Sequence, residues 1–146
     1  MTYLLDTNVL SDARAGRSPA VRTWLSRQEV EELHLSAVTI LELERGVRQK
    51  EHADPAGALP LRRWLDEDIR PTFTGRIIPI DERAAIAAAA LHVPDPMPEM
   101  DALIAATASV HELTLVTRNI KDFHRAHIPL FDPWSASGEA TCGDSA

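Results

Sequence analysis

Tyr3-Leu4-Leu5-Asp6-Thr7-Asn8 is the stretch that decides the fold. Three strand-forming apolar residues end abruptly in three polar ones, so a carboxylate stands directly after the first strand. The same grammar recurs along the chain. Leu33-His34-Leu35 predicts a second strand, Arg76 to Ile80 a third, Leu113 to Thr117 a strong fourth and Ile128 to Phe131 a weaker fifth. Helical patterns stand between them. Ser18-Pro19 marks a helix start, followed by Val21, Trp24 and Leu25. A helix from Ser36 is expected to present Val38, Leu41 and Val47 on one face. A break over 54–58 precedes a helix opened by Pro60 that carries Leu61, Trp64, Leu65 and Ile69. Asp81 is a cap for a helix over 84–91, expected to be buried because it is almost wholly apolar. Pro94, Pro96 and Pro98 forbid helix in the connector before Asp101, and the next helix carries Met100, Leu103, Ile104 and Thr107. Strands alternating with helices predict one α/β domain over 1–134, with a mostly parallel central sheet and helices on both faces. Residues 135–146, small and polar, are read as a disordered tail.

Composition narrows the function. The chain has 146 residues, 45% apolar and 25% charged, ordinary values for one globular domain. No apolar run reaches a membrane span, and Met1 to Asp6 has no signal-peptide pattern. The single cysteine, Cys142, excludes a disulfide scaffold and a cysteine zinc site. Six histidines show no HExxH spacing, and neither a phosphate-binding glycine loop nor GxSxG occurs. The net charge of −7 excludes nucleic-acid binding through bulk basicity, so any such role needs a local site.

In parallel sheets, ligands sit beyond the carboxyl ends of the strands. Four acids fall where they can meet there: Asp6 after the first strand, Glu42 on the helix after the second, Asp101 in the first turn after the proline connector, and Asp122, with Asn119, after the fourth strand. Close carboxylates repel and demand a compensating cation, and oxygen ligands select Mg2+ or Mn2+. Each residue also has an ordinary reading. Asp6-Thr7-Asn8 fits an Asx turn, Asp101 a helix-dipole acid, Glu42 a solvated face beside Glu44 and Arg45, and Asn119 with Asp122 a helix cap.

Four segments carry a resemblance: Leu4-Leu5-Asp6-Thr7-Asn8-Val9-Leu10-Ser11, Ile40-Leu41-Glu42-Leu43-Glu44-Arg45-Gly46, Met100-Asp101-Ala102-Leu103-Ile104-Ala105-Ala106-Thr107-Ala108, and Leu115-Val116-Thr117-Arg118-Asn119-Ile120-Lys121-Asp122-Phe123. With Phe131-Asp132-Pro133-Trp134 they span nearly the whole chain. The chain resembles PIN-domain ribonucleases of the kind found as toxins of bacterial VapBC and FitAB toxin–antitoxin pairs. The resemblance implies a cytoplasmic, Mg2+- or Mn2+-dependent endoribonuclease with Asp6, Glu42, Asp101 and Asp122 as metal-binding and catalytic acids. It makes Thr7, Asn8, Thr117 and Asn119 supporting residues, and Arg118, Lys121, Arg14 and Arg17 candidates for positioning RNA. Asn119 stands where many relatives carry a further acid, and the connector before Asp101 is acidic where many are basic.

The implied partners are an RNA substrate, a small antitoxin seated in an apolar groove, a second copy in a homodimer, and DNA only through the antitoxin. Trp24 and the helices over 41–47 and 61–65 are candidates for the groove, or else core. The alternative is a catalytically degenerate PIN domain serving as an antitoxin-binding or scaffold module. A haloacid-dehalogenase phosphatase fits poorly, because Asn8 stands where that class needs a second aspartate.

Overall fold

The computed structural model describes residues 1–135 and the backbone of 140–142. Its elements run β1 (Tyr3–Leu5), α1 (Thr7–Ala15), α2 (Pro19–Ser26), β2 (Leu33–Ser36), α3 (Ala37–Ala53), α4 (Pro55–Arg63), α5 (Arg70–Thr72), β3 (Ile77–Ile78), α6 (Glu82–Leu91), α7 (Glu99–Val110), β4 (Thr114–Val116), α8 (Ile120–Phe123), β5 (Pro129–Phe131) and β6 (Ala140–Cys142). A π-helical turn, Trp64–Ile69, joins α4 to α5. The sheet order is β3-β2-β1-β4-β5-β6. The first five strands pair in parallel, with Tyr3 opposite both Leu33 and Thr114, and β6 adds antiparallel to β5.

The strands are short and buried on both faces, so their residues alternate between two cores. Leu5, Val116 and Phe131 face one core with Val9, Leu43 and Leu65. Leu4, Leu115 and Leu130 face the other with Val38, Ile104 and Phe123. The chain order reverses beside β1, which lies between β2 and β4. That crevice is where an open parallel sheet leaves room for a ligand.

Several sequence expectations need correction. Asp6-Thr7-Asn8 is no turn: α1 starts at Thr7, with the Asp6 carboxylate as its N-cap. The polar Thr7-Asn8 pair hid this start, because an N-cap needs only one good acceptor, whatever follows it. The break over 54–58 shrinks to Asp54, whose side chain accepts from the Gly57 amide at 3.1 Å and starts α4 at Pro55. Pro60 therefore lies within α4 and does not open it. Leu41 is 43% exposed, while Val38, Leu43 and Val47 are buried. Only Ala84 and Ala88 of α6 are buried, and Ile86 is 65% exposed. An alanine run propagates helix without any need of burial, so apolar content alone misjudged this element. The Asp81 cap is present, accepting from the Ala84 amide at 3.0 Å. The expected tail falls mainly outside the described residues; within it, Ala140–Cys142 form strand β6.

Candidate active site

The site is built at the carboxyl ends of β1 and β4. The Asp6 amide donates to the Val116 carbonyl at 2.9 Å, which ties the end of β1 to its neighbour. The Asp6 carboxylate is 6% exposed. One of its oxygens accepts from the Thr7 amide and the other from the Thr117 hydroxyl, each at 2.8 Å. Thr117 Oγ1 in turn accepts from the Asn119 amide at 3.0 Å, so the turn after β4 is locked onto Asp6. On the other side, the Thr7 hydroxyl donates to Glu42 at 2.6 Å and lies 3.3 Å from the buried Thr39 hydroxyl. Ser36 caps α3, which carries Glu42, by accepting from the Val38 amide at 3.1 Å. Asp101 enters on the first turn of α7, and Asp122 lies on α8.

The charge of Asp101 links the four acids, acting on Asp6 and being acted on by Glu42 and Asp122. Burial first, and then the charges of Asp101 and Glu42, push the Asp6 carboxyl up to about 6, against the opposing hydrogen bonds from Thr117 and Thr7. Burial and the charges of Asp122 and Glu42 raise the Asp101 carboxyl. Among the described residues, every ion pair involves other groups, so no arginine, lysine or histidine compensates any of the four. This is an all-oxygen donor set with uncompensated charge, which fits a hard divalent cation. Among the described residues, no three His, Cys, Asp or Glu side chains are already drawn together closely enough to hold a metal ion.

The Asp6 burial carries a testable consequence. Its folded carboxyl, at about 6, binds a proton more tightly than an unfolded aspartate at 3.8. Protonation therefore favours folding. The stability is fully present below about pH 4 and is lost as pH rises through about 6, by roughly 2–3 kcal/mol. Without divalent ions, Asp6→Asn is expected to melt higher than the parent chain at pH 7.5, with the gap narrowing at pH 4.5. Thermal melts at the two pH values test this, and an unchanged gap would count against it.

Other expected site residues are placed differently. Asn8 Oδ1 is buried without a hydrogen-bond partner among the described residues. Asn119 makes no side-chain cap on α8, so capping does not account for it. Arg118 is engaged within the molecule. Its Nη2 contacts Asp12 Oδ2 at 2.7 Å, and its guanidinium lies 4.8 Å from the Trp134 ring centroid. Arg17 also reaches Asp12, at 3.8 Å. Arg14 lies over the Trp64 ring at 5.6 Å, beside a cleft that opens at Thr7 and Glu42. Lys121 lines a separate cleft with Asn119 and Asp122.

Asp12, 5% exposed, escaped the sequence reading, although it receives Trp134 Nε1 at 2.9 Å as well as Arg118. Its two closest partners arrive from the far end of the chain, and nearby Arg17 reaches it only at 3.8 Å. The groove candidates are mostly core. Trp24 lies 5.1 Å from both Tyr3 and Phe131, and Leu43, Val47 and Leu65 are buried.

Residues 3–128 match the PIN domain family. The chain is 37% identical over 138 residues to the toxin FitB of Neisseria gonorrhoeae, covering 90% of this chain and 97% of that one. A chain of the solved FitAcB structure from that species aligns with a TM-score of 0.81 at 34% identity, covering 91% and 99%. The VapC ribonuclease Y4jK of Sinorhizobium fredii is 33% identical over 139 residues, covering 90% and 96%. A solved toxin–antitoxin complex from Klebsiella pneumoniae contains a chain of TM-score 0.65 and 32% identity, covering 92% and 99%.

Proposed function

The chain belongs to the PIN-domain family, and on that premise we propose that it is a metal-dependent endoribonuclease, the toxin of a toxin–antitoxin pair. The observation that carries the reading is the convergence of Asp6, Glu42, Asp101 and Asp122 without a single basic partner among the described residues. A scaffold protein has no use for that much uncompensated charge, which disfavours the degenerate alternative. The names of the relatives supply the rest: one is a toxin, one a ribonuclease, and one solved complex joins toxin to antitoxin.

Asp6 and Asp101 would hold Mg2+ or Mn2+, with Glu42 and Asp122 binding it directly or through water. When bound, the ion supplies Lewis acidity toward a phosphate oxygen and a more acidic water for in-line attack. The residues of the chain do the positioning. Thr117 and the Thr7 amide fix both oxygens of Asp6, and the Thr7 hydroxyl orients Glu42. Lys121, exposed beside Asp122, and Arg14 remain available to the RNA backbone. Arg118 and Arg17 serve it only at the expense of Asp12. We place the activity in a single catalytic domain over 1–134, acting on RNA in the cytoplasm as a homodimer. DNA contact falls to the antitoxin. No helix among the described residues is long and apolar enough to cross a membrane.

The test is incubation of the purified chain with a mixed, structured RNA pool in Mg2+, in Mn2+ and in excess chelator. Discrete cuts are expected with either ion and none with chelator. Cutting that persists in chelator would overturn the metal-dependent reading.

A further inference from the structure

Beside the acidic site lies a cleft of about 300 Å³ whose lining includes Thr7, Arg14, Glu42, Gly46, Leu61 and Trp64. It is large enough for one small ligand group. One end is carboxylate and hydroxyl, continuous with the acidic site through the Thr7–Glu42 hydrogen bond. The other end is an indole face with an exposed guanidinium 5.6 Å from its centroid. Trp64 begins the π-helical turn Trp64–Ile69. Such turns are rare and occur frequently at functional sites.

Gly46 adds an independent observation. It sits inside α3, where glycine weakens a helix relative to alanine. Packing does not require it, because an added Cβ would meet nothing within 4 Å. Its φ is not positive either. A glycine that neither packing nor backbone geometry needs, on the wall of a cleft, keeps space for something that approaches from outside.

We infer that this cleft is a nucleobase subsite, in which Trp64 stacks the base of a nucleotide neighbouring the scissile phosphate and Arg14 moves from the indole to the adjoining phosphate. The inference rests on the ribonuclease reading and deepens it. Aromatic faces bind unpaired bases by stacking, and arginine suits phosphate. An unpaired base so close to Glu42 gives the enzyme a preference at one position next to its cut. Purely electrostatic backbone contacts carry no such preference.

Binding is measured in chelator, without cleavage, so the test survives a failure of the metal reading. The probes are fluorescein-labelled octamers of rA, rC and rU, and an abasic ribose-phosphate octamer, followed by polarisation. The parent chain is expected to bind at least one base-bearing octamer about 5- to 100-fold tighter than the abasic one. Trp64→Leu and Gly46→Leu should each reduce that octamer to the abasic level, Trp64→Phe should keep most of the difference, and Arg14→Ala should weaken the base-bearing and abasic octamers alike. Gly46→Leu is decisive, because it raises helix propensity and cannot lose binding through a weakened helix. Absence of base-dependent binding in the parent overturns the inference. So does a Gly46→Leu chain that binds RNA like the parent, since the cleft would then belong to a side chain of a protein partner.

Discussion

RNA cleavage by Asp101→Asn is expected to fall about 10³-fold or more, with the fold intact. The substitution keeps the shape of the side chain and removes its charge. In the parent, burial penalises that charge most, and the charges of Asp122 and Glu42 add to the penalty. A chain that tolerates such repulsion gains from it only when a cation enters. The asparagine variant should therefore melt no lower than the parent in metal-free buffer, and gain less from added Mn2+. The helix should not suffer: Asp101 makes no cap on α7, whose N-cap is Pro98, so it supplies only a small dipole contribution. Cleavage gels and thermal melts on one preparation separate the two effects. Retained cleavage in a pure sample would show that Asp101 lies outside the reacting centre.

Asp12→Ala is expected to be the most damaging substitution for stability away from the acidic site, by about 2–4 kcal/mol. Its carboxylate is 5% exposed, so the contacts it makes are poorly replaced by water. Removal strands Trp134 Nε1 and unties Arg118, whose side chain is 53% exposed and partly recovers by hydration. That exposure keeps the expected loss below that of a fully buried ion pair. For a domain of this size the melting temperature should drop by roughly 5–12 °C. Asp12→Asn keeps one acceptor for the indole and should lie between the two. If Asp12→Ala melts with the parent, the link between α1 and the segment after β5 is not what holds that end of the fold. Cleavage per folded molecule should fall far less than in Asp101→Asn, because Asp12 holds the frame and does not face the acidic site.

Asp6 couples metal binding to pH. Its two donors, Thr117 Oγ1 and the Thr7 amide, fix the carboxylate before any ion arrives. They also lower the cost of its charge, but burial outweighs them and the carboxyl stands near 6. A divalent ion should thus stabilise the parent more at pH 7.5 than at pH 5, where the proton competes for the same oxygens.

Much of the architecture was legible because it depends on local rules. Strand-forming runs cut by Asp6 and by Thr117 announced two strand ends. The prolines at 94, 96 and 98 forbade helix whatever their surroundings, and Asp81 caps α6 through an amide three residues away. Candidate acids could be named because a parallel sheet collects whatever follows its strands. Other features were illegible because their cause is distant in sequence. Asp6 is held by a hydroxyl 111 residues away, and Asp12 by partners 106 and 122 residues away. No window of sequence distinguishes a surface aspartate in α1 from one buried by Arg118 and Trp134. The exposure of Leu41 and Ile86 is equally non-local, since side chains of neighbouring elements decide which face of a helix is covered.

The sequence alone therefore determined the kind of sheet, the strand ends and the four acids that could meet there, since hydrophobic alternation, capping and proline geometry act over a few residues. Tertiary structure decided which polar groups are spent inside the molecule and which remain for a ligand. It committed Arg118 to Asp12, left Asn8 Oδ1 without a hydrogen-bond partner among the described residues, and opened a cleft between Glu42 and Trp64. The reason is that burial and charge compensation are properties of packed surfaces, and packing joins residues that the chain keeps far apart.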